Sequence, residues 1–189
     1  MSAKRERIIE AAFKLFCENG FHSTSTAIIS KEAGVATGTL FLYFRSKDEL
    51  INALYREAKQ EMAAVLQANI PAGAPFEQQL RHFWNRAISW ALENKFAFRF
   101  LMMYSNSPFI SCLTREEAAS TFQFTKCLIE KAIKEDRITA LDSNLFLSLF
   151  SAQLSATISY LARQPDLLNQ QPVIDQTFGA FWKGVRKEQ

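Results

Sequence analysis

The sequence has 189 residues, of which 48% are hydrophobic, and it carries a formal net charge of +3. A chain of this length and apolar content is expected to fold around one or two packed cores, which excludes an intrinsically disordered protein. The slight excess of positive charge is compatible with a nucleic-acid partner but is too small to indicate one by itself.

Cysteine usage and the first residues predict a protein of the reducing cytoplasm. The chain has three widely spaced cysteines, Cys17, Cys112 and Cys127, and no cluster with metal-ligand spacing. We therefore expect neither disulfides nor a metal site, and no cofactor. Charged residues at positions 4–7 interrupt any run that would resemble a signal peptide. No uninterrupted apolar stretch reaches the roughly 20 residues that span a bilayer, so no membrane association is expected.

Helical periodicity and sparse Gly and Pro predict an all-α protein of about nine helices. Residues 3–19 form an amphipathic helix that ends at Gly20, and two short helices follow, one ending at Ala33 and one over 37–44. Ser46 and Glu49 have the spacing of a capping box, which begins a long helix at about 47–69. After a Pro- and Gly-rich linker at 70–75, helices are expected at about 76–93, 96–104, 114–135, 142–163 and 173–187.

The first three helices have the arrangement of a helix-turn-helix, which places its second short helix in the major groove of DNA. The residues that distinguish it from an ordinary helical hairpin are AAFKLF at 11–16, NGF at 19–21, AGV at 33–35, GTLF at 38–41 and SKDEL at 46–50. Over about residues 5–55, without an insertion, the chain resembles the DNA-binding domain of the TetR family of bacterial transcription repressors. The predicted domains are 1–46, a helix-turn-helix DNA-binding domain, and 47–189, a helical ligand-binding and dimerisation domain.

The resemblance implies a homodimer that binds a pseudo-palindromic double-stranded operator through two recognition helices. It implies DNA contacts by Thr24 and Thr26 near the second helix, by Thr37, Gly38 and Thr39 at the start of the recognition helix, and by Tyr43 and Lys47 on phosphates. Threonine offers a hydroxyl to a base edge and a methyl group to the methyl of thymine. The recognition helix has no Arg, Asn or Gln for bidentate base readout, so we expect a contribution from methyl contacts and DNA shape. Leu40, Phe41 and Phe44 are interpreted chiefly as core.

The second half is rich in aromatic residues, and in this family such a half is expected to bind a small molecule and to dimerise. Aromatic and Met side chains suit a flat, apolar ligand, and the predicted pocket consists of Phe96, Phe100, Met103, Tyr104, Phe122, Phe150 and Tyr160. A packed core is the alternative for each of them. The last two helices are expected to form a two-fold, four-helix interface through Leu145, Leu149, Phe178, Phe181 and Trp182.

The predicted function is transcriptional repression that a small apolar or aromatic ligand relieves, without enzymatic activity. No paired carboxylates, nucleophile with a base, or phosphate-binding loop stands out in the sequence. One alternative is a DNA-binding regulator with a filled core that responds to a protein partner or through a thiol. The other is an enzyme or lipid carrier built on an aromatic helical bundle, which the helix-turn-helix argues against.

Overall fold

The structure is a computed structural model that describes residues 2–71, 73–164 and 169–187. Within these residues the chain is all-α, as expected, and its β structure is confined to one isolated bridge between Ile138 and Arg186. The helices are α1 (Ala3–Ser23), α2 (Thr26–Glu32), α3 (Thr37–Tyr43), α4 (Lys47–Gln67), α5 (Phe76–Glu93), α6 (Lys95–Tyr104), α7 (Cys112–Ser120), α8 (Gln123–Lys134), α9 (Ser143–Ala162) and α10 (Gln171–Val185).

The helix ends near the N-terminus follow the local sequence. Gly20 interrupts the helical geometry of α1 with a φ of 76°, a value that glycine adopts without steric cost. The Ser46 hydroxyl accepts a hydrogen bond from the Glu49 amide at 3.0 Å, as the predicted capping box requires. The Glu49 carboxylate, however, accepts from the Arg45 amide at 2.7 Å, one residue earlier than in the usual box.

The helix predicted over 114–135 is in fact two helices, α7 and α8, separated at Thr121 and Phe122. Hydroxyl groups on both sides of the break compete for backbone carbonyls. Ser120 donates to the Glu117 carbonyl at 2.7 Å, and Thr125 donates to the Phe122 carbonyl at 2.7 Å. Such local side-chain bonds favour a turn over a continued helix, and apolar periodicity does not report them.

The chain folds into two compact units. The first contains the residues up to Glu61 together with Asn94–Ser120. Its core is aromatic: Phe16 of α1 is fully buried and packs against Phe100 and Tyr104 of α6, with ring centroids 6.3 and 6.4 Å away. The Tyr104 hydroxyl donates to the Phe16 carbonyl at 3.1 Å. Helix α6 is thus part of the unit that holds the helix-turn-helix, whereas the sequence assigned it to the sensor domain.

The second unit contains Met62–Glu93 and the residues from Thr121 onward. Trp84 of α5 is fully buried at its centre, with ring centroids 5.4 Å from Phe150 of α9, and 6.0 and 6.2 Å from Phe178 and Phe181 of α10. The side-chain amide of Gln153 on α9 donates to the Thr177 carbonyl on α10 at 2.9 Å. Helices α5, α9 and α10 therefore share one aromatic core.

Candidate nucleic-acid interface

Helices α2 and α3 pack against each other and against α1, and one face of α3 is buried. Leu40 has no exposed surface and Phe44, which follows the helix, is 2% exposed. Gly34 in the turn between α2 and α3 has a φ of 63°, so a residue with a Cβ would be strained there. The buried side fixes the orientation of α3 and leaves its other side as a surface.

Several residues predicted to contact DNA lie on or beside that surface. Thr37 and Gly38 are exposed at the start of α3, whereas Thr39 and Thr26 are half-buried. Tyr43 is half-buried and its hydroxyl donates to Ser2 Oγ at 2.9 Å. Their contacts with DNA stay predictions.

Thr24 requires a correction, because it is fully buried. Its hydroxyl donates to the carbonyls of Gly20 and Leu15 at 2.7 and 3.2 Å. A hydroxyl used in this way stabilises the end of α1 and has no access to DNA. We therefore assign Thr24 to the fold rather than to the interface.

Lys47 has a structural role that the sequence did not predict. Its ammonium donates to the carbonyls of Phe21 and Thr24 at 2.8 and 3.1 Å and lies 4.1 Å from the centre of the Phe21 ring. A cation near the last carbonyls of a helix satisfies acceptors that have no partner within the helix. Lys47 thus ties the first turn of α4 to the end of α1, and its contact with phosphate stays a prediction.

Replacing Lys47 with Ala should lower the free energy of unfolding by about 1 kcal/mol, because two charge-assisted hydrogen bonds and a ring contact are lost at a partly exposed site. Urea denaturation followed by circular dichroism measures the change. The matched control is Lys31→Ala, which removes an exposed lysine that has no salt bridge within the described part of the chain. An equal effect of both substitutions would contradict the role assigned to Lys47.

The exposed face of α3 contains apolar residues that sequence reasoning placed in the core or did not single out. Phe41 was interpreted chiefly as core, yet 44% of it is exposed, and Leu42 is 84% exposed. Ile28 on α2 is also 46% exposed. Helical spacing alone predicts the exposure of Leu42. If Leu40 and Phe44 face inward, Leu42 lies about 200° around the helix from Leu40 and therefore faces outward.

The structure does not bring the predicted ligand-binding residues together within one unit. Phe96, Phe100, Met103 and Tyr104 belong to the first unit, and Phe122, Phe150 and Tyr160 belong to the second. Phe100 and Tyr104 are buried against α1, which fits the packed-core alternative, whereas Phe96 and Met103 are 43% and 46% exposed. Tyr160 is 52% exposed on α9, and its contact with a ligand stays a prediction. Phe150, against Trp84, and Phe122, 6.3 Å from Phe124, remain in aromatic surroundings.

The predicted dimer residues divide into two groups. Phe178 and Phe181 are 0% and 5% exposed in the core around Trp84, and Trp182 packs 6.2 Å from Phe76. These three aromatic residues stabilise the subunit itself, so their assignment to the interface is wrong for Phe178 and Phe181 and is not supported for Trp182. Leu145 and Leu149, by contrast, are 48% and 46% exposed.

Helix α9 presents an uncharged stripe to solvent. Leu145, Leu149, Ala152, Ala156 and Tyr160 recur at helical spacing and are all exposed. Ser143–Ala162 has a mean hydropathy of 1.4 over its most apolar window, of which 28% is buried, so by length and composition alone it passes as a membrane span. One such helix is weak evidence for a membrane protein, and the polar residues within it are why no uninterrupted apolar run was found. The stripe is not covered by any part of the chain that the structure describes, and an exposed apolar surface of this kind marks an interaction site.

We also searched the described residues for a pocket, a metal site and a reactive cysteine. A depression of about 160 Å³ in the second unit is lined by Phe76, Gln79, Lys131, Glu135 and Arg137 among others, and none of the predicted ligand-binding residues lines it. No group of metal-ligating side chains occurs in the described ranges. Burial raises the pKa of the Cys17 thiol to about 11, which opposes thiolate chemistry there. Cys112 and Cys127 are exposed.

Family models match nearly the whole chain. Residues 8–54 match the model for bacterial regulatory proteins of the tetR family, and residues 55–187 match the model for the tetracyclin repressor-like C-terminal domain. A tetR family transcription regulator from Shewanella sp. PV-4 has a solved structure with a TM-score of 0.88 and 32% sequence identity, covering 100% of both chains.

Among the curated relatives, one match spans nearly the whole chain and another spans less than half of it. An HTH-type transcriptional regulator of Haemophilus influenzae is 23% identical over 96% of this chain and 95% of its own length. The fatty acid metabolism regulator protein of Bacillus subtilis is 34% identical, but the match covers only 41% of this chain and 40% of that protein. The family models and the HTH-type relative confirm the interpretation as a DNA-binding regulator over the enzyme or lipid-carrier alternative.

Proposed function

The chain belongs to the tetR family of bacterial regulatory proteins, and on this basis we propose that it is a cytoplasmic, homodimeric repressor whose affinity for its operator falls when a small apolar ligand binds. Membership of the family makes it a DNA-binding transcription regulator. Repression, the ligand and the residues that contact each partner are the parts that we propose.

The exposed outer face of α3 is the observation that supports DNA binding by this helix. Thr37, Gly38, Phe41 and Leu42 are exposed there, while Leu40 is buried behind them. A helix anchored on one side and exposed on the other is what a helix-turn-helix inserts into the major groove. Tyr43 and Lys47 at its end are the proposed phosphate contacts, with Thr26 as a further backbone contact.

The uncharged stripe on α9 is the proposed dimer interface. A two-fold axis pairs one patch with itself, so a single stripe suffices for both subunits. Leu145, Leu149 and Tyr160 supply apolar area, and the alanines between them allow two helices to approach closely. Two subunits joined in this way present two copies of α3, which matches a pseudo-palindromic operator.

The proposed ligand site lies around α5 in the second unit. Trp84 Nε1, His82 Nε2 and Asn85 Oδ1 are buried and have no hydrogen-bond partner among the described residues. An unsatisfied buried polar atom costs about 1–3 kcal/mol, and a ligand that supplies its partner recovers this cost. Phe150 and Phe181 lie beside Trp84, so a ligand that reaches the Trp84 indole is expected to be apolar and to carry a hydroxyl or carbonyl group that accepts from Nε1.

The proposed coupling uses α4, which is one helix from Lys47 to Gln67. A ligand that binds better to one spacing of the two recognition helices shifts the population towards that spacing. If that spacing does not match the operator, the ligand releases the protein from DNA.

The experiment has two stages. A duplex is first selected from a random library by the full-length protein, and fluorescence anisotropy then measures its release by a panel of fatty acids, steroids and aromatic cations. We expect at least one compound both to bind, by quenching of tryptophan fluorescence, and to weaken operator binding. If none does both, the ligand proposal fails and the alternative of a filled core regulated by a protein partner or thiol replaces it.

The substitution Asn85→Leu is expected to lower ligand affinity without lowering the free energy of unfolding. Because it removes a buried acceptor that has no partner, it should leave the free energy of unfolding unchanged or higher, while ligand affinity falls about tenfold or more. The control is Gln153→Leu, which removes a satisfied amide and should cost about 1 kcal/mol of stability without changing ligand affinity. Calorimetric titration and urea denaturation provide the two readouts, and unchanged ligand affinity in Asn85→Leu would contradict the assignment.

A further inference from the structure

The recognition surface of α3 is apolar. Two adjacent side chains, Phe41 and Leu42, are 44% and 84% exposed, and Thr37 and Gly38 precede them by one turn on the same side. Scattered exposed apolar residues are ordinary, but two adjacent ones in a seven-residue helix expose a large part of that helix as hydrocarbon. Ile28 adds a third exposed apolar side chain on α2, which packs against α3.

This surface lacks the groups that read most bases. Guanine and adenine are recognised by bidentate donors and acceptors of Arg, Lys, Asn and Gln, and the outer face of α3 contains none of these. Thymine alone presents a methyl group, at C5, in the major groove, and apolar side chains recognise it by contact.

Exposed cations on and beside the helix-turn-helix favour DNA over another protein as the partner of this surface. Arg7, Lys31 and Arg45 are exposed and form no salt bridge within the described part of the chain, whereas Lys14 is paired with Glu32. Arg7 lies beside the turn, because a Cβ built on Gly34 would be 3.5 Å from its Nη1 atom. Unpaired cations around an apolar helix suit a duplex, whose phosphates border the groove that exposes the methyl groups.

We propose that Phe41 and Leu42 determine operator specificity by contacting the C5 methyl groups of thymine, so that A·T base pairs lie opposite α3 in each half-site. This proposal rests on the proposed function, in which α3 enters the major groove. The cations then supply affinity that is independent of sequence, and the two apolar side chains supply discrimination among base pairs.

The test uses the duplex that the full-length protein selects from a random library. Each thymine of the half-sites is replaced with uracil, which removes only the C5 methyl group, and dissociation constants are measured by fluorescence anisotropy at one salt concentration. We expect at least one position per half-site where uracil weakens binding about fourfold, and a loss of more than about tenfold when both half-sites are changed.

Substitutions of Phe41 and Leu42 show which of the two side chains contacts a given thymine methyl group. In Leu42→Ala or Phe41→Ala the difference between thymine and uracil should shrink towards onefold at one of these positions. Leu113→Ala on α7 is the matched control, because Leu113 is 65% exposed outside the helix-turn-helix, and the difference should persist in it.

Two results would overturn the inference while leaving DNA binding intact: equal affinity for the thymine and uracil duplexes, or a difference that survives in both Leu42→Ala and Phe41→Ala. Failure to select any duplex would overturn the inference together with the proposed function.

Discussion

Replacing Phe178 with Ala should lower the free energy of unfolding by about 3–5 kcal/mol, the range that large-to-small changes of buried aromatic residues produce. Phe178 has no exposed surface, packs 6.0 Å from Trp84 and lies beneath the Arg81 guanidinium, 4.2 Å from its ring centre. A charge at this position is expected to prevent folding rather than to release folded monomers.

Denaturation by urea at several protein concentrations measures this loss of stability. It also shows whether Phe178 acts in the core of the subunit or in the dimer interface. A core residue changes the stability of the subunit, so the loss should persist where the protein is fully dimeric. The exposed Leu149 provides the control, since Leu149→Ala should change the stability of the isolated subunit by no more than about 0.5 kcal/mol. Dissociation of Phe178→Ala into stable monomers would contradict the core assignment.

The double substitution Leu145→Asp and Leu149→Asp should give folded monomers that no longer bind the operator tightly. In a two-fold interface each carboxylate is buried in two copies, and a buried charge without a partner costs several kcal/mol. We therefore expect the dimer dissociation constant to rise more than about 100-fold, with a similar loss of operator affinity.

Sedimentation equilibrium measures the mass, and circular dichroism shows whether the helices remain. The matched control is Leu113→Asp, because this leucine of α7 is 65% exposed and lies off the α9 stripe. It should stay dimeric. If the double variant is also dimeric, the interface lies elsewhere on the chain.

The sequence was most informative where structure is set locally. The helix-turn-helix follows from contiguous residues, and the positive φ of Gly20, the capping hydroxyl of Ser46 and the capping carboxylate of Asp142 at the start of α9 follow from neighbours one turn away. The same local reasoning failed at Thr121 and Phe122, where hydroxyl bonds to carbonyls break a helix whose apolar pattern is continuous.

The roles of aromatic residues were the least predictable part. Tyr104 donates to a carbonyl 88 residues away, and a sequence pattern contains no information on which helix will cover it. Phe178 and Leu149 illustrate the same limit, because both lie on apolar helix faces but only one of those faces is covered within the subunit. Periodicity identifies an apolar face, and only the packing of the whole unit determines whether core, ligand or partner covers it.

If two subunits contact two half-sites, the protein binds an intact selected operator much more tightly than a duplex that retains only one half-site, and comparing these two affinities tests the proposed function. Selection by the full-length protein should enrich an inverted repeat with half-sites about one helical turn apart. We predict that a duplex of the same length with one half-site scrambled binds at least about 100-fold more weakly at equal salt. If selection enriches no inverted repeat, or if the intact and the half-scrambled duplex bind with equal affinity, the protein does not bind its operator through two recognition helices.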